Sequence, residues 1–201
     1  DRLDFWNIAA VTGDTVAQVY NRNMSTRCEY CVTGYLAGPE HIAYVFDALG
    51  FAHEYARAHE IAADIPKYSR KIAEYIDKNV PVLVITNIND VDGWHSDVGT
   101  HCLVVGYDCG GQILKLLVGG TDIIDYKLDS GCRLDLVFTG EKQRDVTLED
   151  IYKTAIMKMP YFLTLPERGG MCFGAAAYRA WADDIEAARF EAEDYPMWDN
   201  Y

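Results

Sequence analysis

His101 stands at the mouth of an apolar run, Cys102-Leu103-Val104-Val105-Gly106-Tyr107-Asp108, behind a polar loop that bears glycine. An imidazole with a rigid strand behind it and solvent in front suits a general base, because an ordinary histidine pKa near 6.5 lets the ring take and return a proton at neutral pH. An isolated histidine so placed more often just closes a strand and bonds a carbonyl. The loop before it, 87–100, holds three Asp, one Trp and one His. Trp94, His95 and Asp97 are its residues suited to touching a substrate, and an ordinary solvated connection is the competing reading.

A base of this kind needs a nucleophile, and the six cysteines are Cys28, Cys31, Cys102, Cys109, Cys132 and Cys172. A reactive thiolate is best made at a helix N-terminus, where the dipole lowers its pKa. Cys28 and Cys31 lie seven or more residues before the helix expected at Pro39. Cys102 adjoins His101 and alternates to the opposite face of its strand. Cys28-Glu29-Tyr30-Cys31 spacing would bring two thiolates to one zinc, but a closed structural site takes four ligands and no second such pair exists. The expectation is therefore two thiols in a loop, with no metal and no cofactor.

The elements that must position these groups follow from periodicity. Asp4–Ala10 reads as a turn or two of helix and Thr15–Tyr20 as a strand. Asn21–Gly38 reads as an irregular connection. Pro39 opens a helix with Ile42, Val45, Phe46 and Leu49 on one face and Gly50 closing it. Phe51–Ala58 is a strand, and a second helix runs from Ile65 to about Asn79 with Asp64 as N-cap and Pro66 in its first turn. Pro81–Thr86 is a continuous apolar run, as in a strand buried on both faces. Cys102–Tyr107 and Ile113–Val118 flank Asp108-Cys109-Gly110-Gly111 as a hairpin, a loop covers 119–131, and a third core strand spans Cys132–Phe138. Thr147-Leu148-Glu149-Asp150 resembles a capping box for a helix to about Met159, broken by Pro160 and Pro166, and Cys172–Phe190 is an Ala-rich helix. The order predicts an α+β fold.

Length and composition set the limits. The chain has 201 residues, half of them apolar or aromatic and 24% charged, which is ordinary for a folded domain and needs no disulfide framework. Eighteen Lys and Arg against 31 Asp and Glu give a net charge of −13, so binding to a phosphate backbone has no electrostatic basis and nucleic acid is excluded as a partner. No apolar run approaches the ~20 residues of a membrane span. Asp1-Arg2-Leu3-Asp4-Phe5-Trp6 has no initiator Met and no leader-like pattern, so the expectation is a cytoplasmic protein whose natural chain starts upstream. With 14 Tyr and 4 Trp, more than the core needs, some aromatic rings are expected to line a cleft or a homo-oligomer contact.

Val80-Pro81-Val82-Leu83-Val84, then a loop, then His101-Cys102-Leu103-Val104-Val105-Gly106-Tyr107-Asp108 resembles the paired strands of papain-like folds of the bacteriocin-processing peptidase type. Phe46-Asp47-Ala48-Leu49-Gly50-Phe51, Thr139-Gly140-Glu141-Lys142 and Ala180-Trp181-Ala182-Asp183-Asp184 are similar to the bacterial family of the butirosin biosynthesis protein H N-terminal domain. The resemblance covers most of the chain. It implies a papain-like antiparallel sheet with helices over 1–142, lacking its first helix, and a helical extension over 143–201. It also implies thiol-dependent acyl transfer or amide hydrolysis on a small molecule, from a small-molecule or carrier-protein-bound acyl donor. A cysteine peptidase and a non-catalytic binding or assembly module are the alternatives. His101 matches the base, Asp122 is the nearest match to the acid that orients it, and Asp125 follows. The family carries its nucleophile on a helix before the first residue of this chain, and Cys31 is the weaker candidate. An acidic surface would draw a polycationic amine such as an aminoglycoside.

Overall fold

The computed structural model describes residues 4–22, 38–87, 99–118, 120–167 and 170–187, with 86, 87 and 99–101 given by backbone alone. The chain divides into two compact units, 50–144 and a discontinuous one made of 1–49 with 145–201. The first 49 residues thus group with the C-terminal helices, whereas the sequence boundary after 142 had joined them to the sheet.

The continuous unit is a six-stranded antiparallel sheet. Its strands are β2 (Phe51–Ala56), β3 (Val82–Asn87), β4 (Gly99–Asp108), β5 (Ile113–Val118), β6 (Asp122–Lys127) and β7 (Asp135–Lys142), in the order β2-β7-β3-β4-β5-β6. Helices α3 (Ala58–Ala63) and α4 (Ile65–Asp77) follow β2 in the chain. Strand alternation sends Ala56, Val82, Val84, Cys102, Val104, Leu114, Leu116, Leu136 and Phe138 into one core with Ile61, Tyr68 and Ile72 from the helices. Tyr68 and Tyr75 of α4 close on the Phe138 ring at 6.5 and 5.1 Å. Each such large apolar side chain taken from water contributes about 1.5–3 kcal/mol. Asp64 accepts from the Lys67 N–H at 3.2 Å and so starts α4 where its apolar face begins.

Five of these six strands lie where strands were expected, over Phe51–Ala58, Pro81–Thr86, Cys102–Tyr107, Ile113–Val118 and Cys132–Phe138, and β6 is the addition. The segment read as a loop, 119–131, contains β6, whose sequence Asp-Ile-Ile-Asp-Tyr-Lys is charged and mostly exposed. It forms the edge of the sheet, where charge discourages further pairing and hides the strand from a hydrophobicity reading. Strand β7 begins three residues later than Cys132 and runs on to Lys142, because β2 pairs with it across a register shift between Phe51 and His53. Val82 and Val84 are fully buried but Leu83 and Ile85 only partly, so β3 is less enclosed than its apolar sequence suggests.

The discontinuous unit holds α1 (Phe5–Thr12), β1 (Val19–Asn21), α2 (Pro39–Leu49), α5 (Leu148–Leu163), β8 (Met171–Phe173) and α6 (Gly174–Glu186). The strand expected over Thr15–Tyr20 shrinks to three residues, which pair with β8. Val11, Val45, Ala48 and Ile151 join α1, α2 and α5, while Tyr20, Cys172, Ala177 and Ala180 join β1 to α6. The Tyr20 hydroxyl donates to the buried Asp184 carboxylate at 2.7 Å.

Pro160 does not end α5. Its missing N–H costs about 3 kcal/mol in a helix interior. The helix nevertheless continues to Leu163, because Phe162 is fully buried among His41, Tyr44 and Tyr161 at ring distances of 6.0, 6.3 and 5.4 Å. The start of α5 is the expected capping box: the Thr147 hydroxyl accepts from the Asp150 N–H at 3.1 Å and Asp150 accepts from the Thr147 N–H at 2.9 Å. Thr147→Ala is expected to cost about 1 kcal/mol in urea denaturation, with Thr147→Ser recovering most of it. Equal midpoints for the wild type and the alanine variant would contradict this reading of the cap.

Candidate functional site

The backbone places His101 in β4, where position 101 pairs with Ile85 of β3. Ile85 pairs in turn with Asp135 of β7, so positions 101, 85 and 135 form one rung across three adjacent strands. In β4, Cys102 and Val104 belong to the core beneath α4, and position 101 falls in the other strand phase with Leu103.

Asp122 opens β6, is exposed and pairs with Val118 of β5. It shares the strand phase of Ile124 and Tyr126, which pack against the helix-covered core. The register therefore does not bring Asp122 to position 101, since the two stand two strands apart and in opposite phases. Asp125 is engaged elsewhere: its carboxylate pairs with Lys115 at 2.7 Å, and Lys115 also meets Asp108 at 2.8 Å. Cys31, Trp94, His95 and Asp97 lie outside the described residues, as does the Cys28–Cys31 pair weighed for zinc.

None of the three buried described thiols is set up as a nucleophile. Burial pushes Cys102 up to about 11 and raises Cys132 and Cys172 as well. At pH 8 a thiol with a pKa near 11 is a thiolate in only about one molecule in a thousand. Cys172 does stand just before α6, as a catalytic cysteine would, but it packs against Tyr20 and Ala177 in a core. Cys109, in the hairpin turn, is exposed with a φ of 51°.

These protonated groups also make a contribution to stability that is lost at alkaline pH. Burial holds the Tyr126 phenol up to about 12 against an ordinary 10.0, and Cys102 up to about 11 against 9.0. Between those values the unfolded chain binds fewer protons than the folded one, so stability falls as pH rises. The contribution is whole below about pH 9 and gone by about pH 12. A urea midpoint that declines steadily from pH 9 to 12 is the expected result, and a midpoint that rises over that range would refute it.

One carboxylate went unnoticed in the sequence. Asp135 accepts from the Tyr55 hydroxyl at 2.7 Å through one oxygen and from the Ala58 N–H at 2.7 Å through the other. Burial, and then the bond to Asp135, hold the Tyr55 phenol well above its ordinary range, so it stays a donor. The signal available was an acid at the head of the apolar run Leu136-Val137-Phe138, a place where a charge must find partners. Beside it opens a surface recess of about 690 Å³ lined by Arg57, His59, Ser130, Arg133 and Asp135 among others. No family model matches the chain, and the searches of curated proteins and of solved structures likewise returned no match.

Proposed function

We propose that the protein is a thiol-dependent acyltransferase or amide hydrolase of papain-like architecture, acting on a small molecule, with His101 as its general base. The observation that carries this reading is the placement of position 101 in β4, paired with Ile85 of the central strand β3, and with Cys102, next to it, in the core. A base there has a rigid backbone ladder behind it, which is what proton transfer within hydrogen-bond reach requires. The α+β architecture and the antiparallel hairpin around Asp108–Gly111 support it further.

In this reading a thiolate attacks the acyl carbonyl, a thioester forms, and the protonated imidazole gives its proton to the leaving group. The imidazole then deprotonates the acceptor, an amine or water, which attacks the thioester and releases the thiol. The buried described thiols are held protonated, which leaves the exposed Cys109 and the cysteines outside the described residues, among them Cys31, the weaker candidate that the resemblance allows.

Alkylation tests the proposal. Brief treatment of the natural full-length protein with iodoacetamide at pH 7, followed by peptide mass mapping, is expected to find one thiol modified far faster than the rest. That rate is expected to fall in His101→Ala. Uniformly slow labelling of every thiol, unchanged by the substitution, would overturn the enzyme reading in favour of a binding module.

A further inference from the structure

Helix α5 is apolar on both sides. Ile151, Ala155 and Phe162 are buried, yet Tyr152, Ile156, Met157 and Tyr161 face outward, with exposures of 49, 61, 75 and 47%. A helix apolar all round is ordinarily covered all round. The neighbouring α1 extends this surface. Its Asn7 amide donates to the Tyr152 hydroxyl at 3.2 Å, and Trp6 and Ile8 flank Asn7 in the chain. Trp6 is 68% exposed and meets the ring of Phe5, 71% exposed, edge to face at 5.2 Å. None of the chain's 31 Asp and Glu lies in 5–12 or in 151–163, where the only charged residues are Lys153 and Lys158. Aromatic rings and methionine without acids are the composition of a protein–protein contact.

We propose that this face is the contact between two copies of this chain, with α5 packed antiparallel against α5 of the second copy about a two-fold axis between residues 156 and 157. The sequence suits that axis. Tyr152 and Ile156 on one side of it mirror Tyr161 and Met157 on the other, so Tyr152 of each copy meets Tyr161 of its mate, and Ile156 meets Met157. Such reciprocity is what a two-fold contact demands. The exposed parts of the seven side chains come to roughly 600 Å² of apolar surface. That is at the upper end of the ~300–600 Å² patch a monomer leaves open, and most of the ~800 Å² each partner gives to a standard interface. Two chains of net charge −13 also repel each other least where acids are absent. The inference stands apart from the acyl-transfer reading, because it uses none of the residues assigned there.

Sedimentation velocity of the full chain from about 1 to 100 µM tests it, and a species of twice the chain mass is expected to dominate at the upper end. Ile156→Glu and Met157→Lys are each expected to weaken self-association about 100-fold. Both positions face solvent, so the thermal midpoint measured on the dilute protein should hardly move. Mixing the two variants is expected to restore the dimer, since the new acid at 156 of one chain then faces the new base at 157 of the other. A wild type that stays monomeric throughout, as it would if another segment of the same chain covers this face, overturns the proposal. So does a dimer that survives both substitutions, or a mixture that stays monomeric. The wild-type arm decides independently of how the variants fold.

Discussion

Substituting His101 by alanine in the natural full-length protein is expected to slow acylation of its thiol by about 10²- to 10⁴-fold, the range that a positioned acid–base group contributes. The release of nitrophenolate from p-nitrophenyl acetate provides the readout. The loss is expected in the acylation rate constant with little change in half-saturation, because an imidazole that moves protons acts in the transition state and not in ground-state binding. The limb of the rate profile that reports the base should vanish with it. Strand β4 is held by its ladders to β3 and β5 and not by one side chain, so the thermal midpoint should barely move. A loss of less than threefold, with the fold intact, would dispose of the base assignment.

The second large effect is one of stability and falls on the hairpin between β4 and β5. Gly110 and Gly111 both hold left-handed backbone, at φ of 65° and 89°. A Cβ on Gly110 would meet nothing within 4 Å, whereas one on Gly111 would come within 2.4 Å of the Ser69 carbonyl oxygen of α4. Gly110→Ala therefore costs only the left-handed penalty, about 1–2 kcal/mol. Gly111→Ala bears the same penalty and also forces the turn off the helix, for about 3 kcal/mol or more together. Urea denaturation of the two variants side by side isolates the close approach, since the backbone term is common to both. Equal losses would show that the turn can shift away from α4 freely.

Much of this architecture was legible because it rests on local patterns. The apolar stripe of α2, the Asp64 cap of α4, the capping box at Thr147 and the glycine turn after Asp108 each state their structure within a few residues. What escaped was decided at long range. Strand β6 is charged because it is an edge, which only the finished sheet defines. Pro160 stays helical because Phe162 has a buried socket supplied from α2. Asp135 looked like one acid among 31 Asp and Glu, and its two partners come from Tyr55 and Ala58, some 80 residues earlier. Asp122 was selected by order along the chain, yet strand phase, which a linear count cannot carry through an unseen turn, sets it on the other side of the sheet from position 101.

The discontinuity of the helical unit bears on how the chain comes to be folded during synthesis. The sheet unit is complete once residue 144 has emerged, and its two ends meet there, the N–H groups of Gln143 and Arg144 both reaching the Gly50 carbonyl, at 2.8 and 3.3 Å. The first 49 residues, by contrast, must wait for α5, β8 and α6 before β1 finds its strand partner and α1 its helix partner. On the ribosome residues 50–144 are therefore expected to mature before α1 and α2 are packed, leaving the apolar faces of those two helices as the natural clients of a chaperone in the interval.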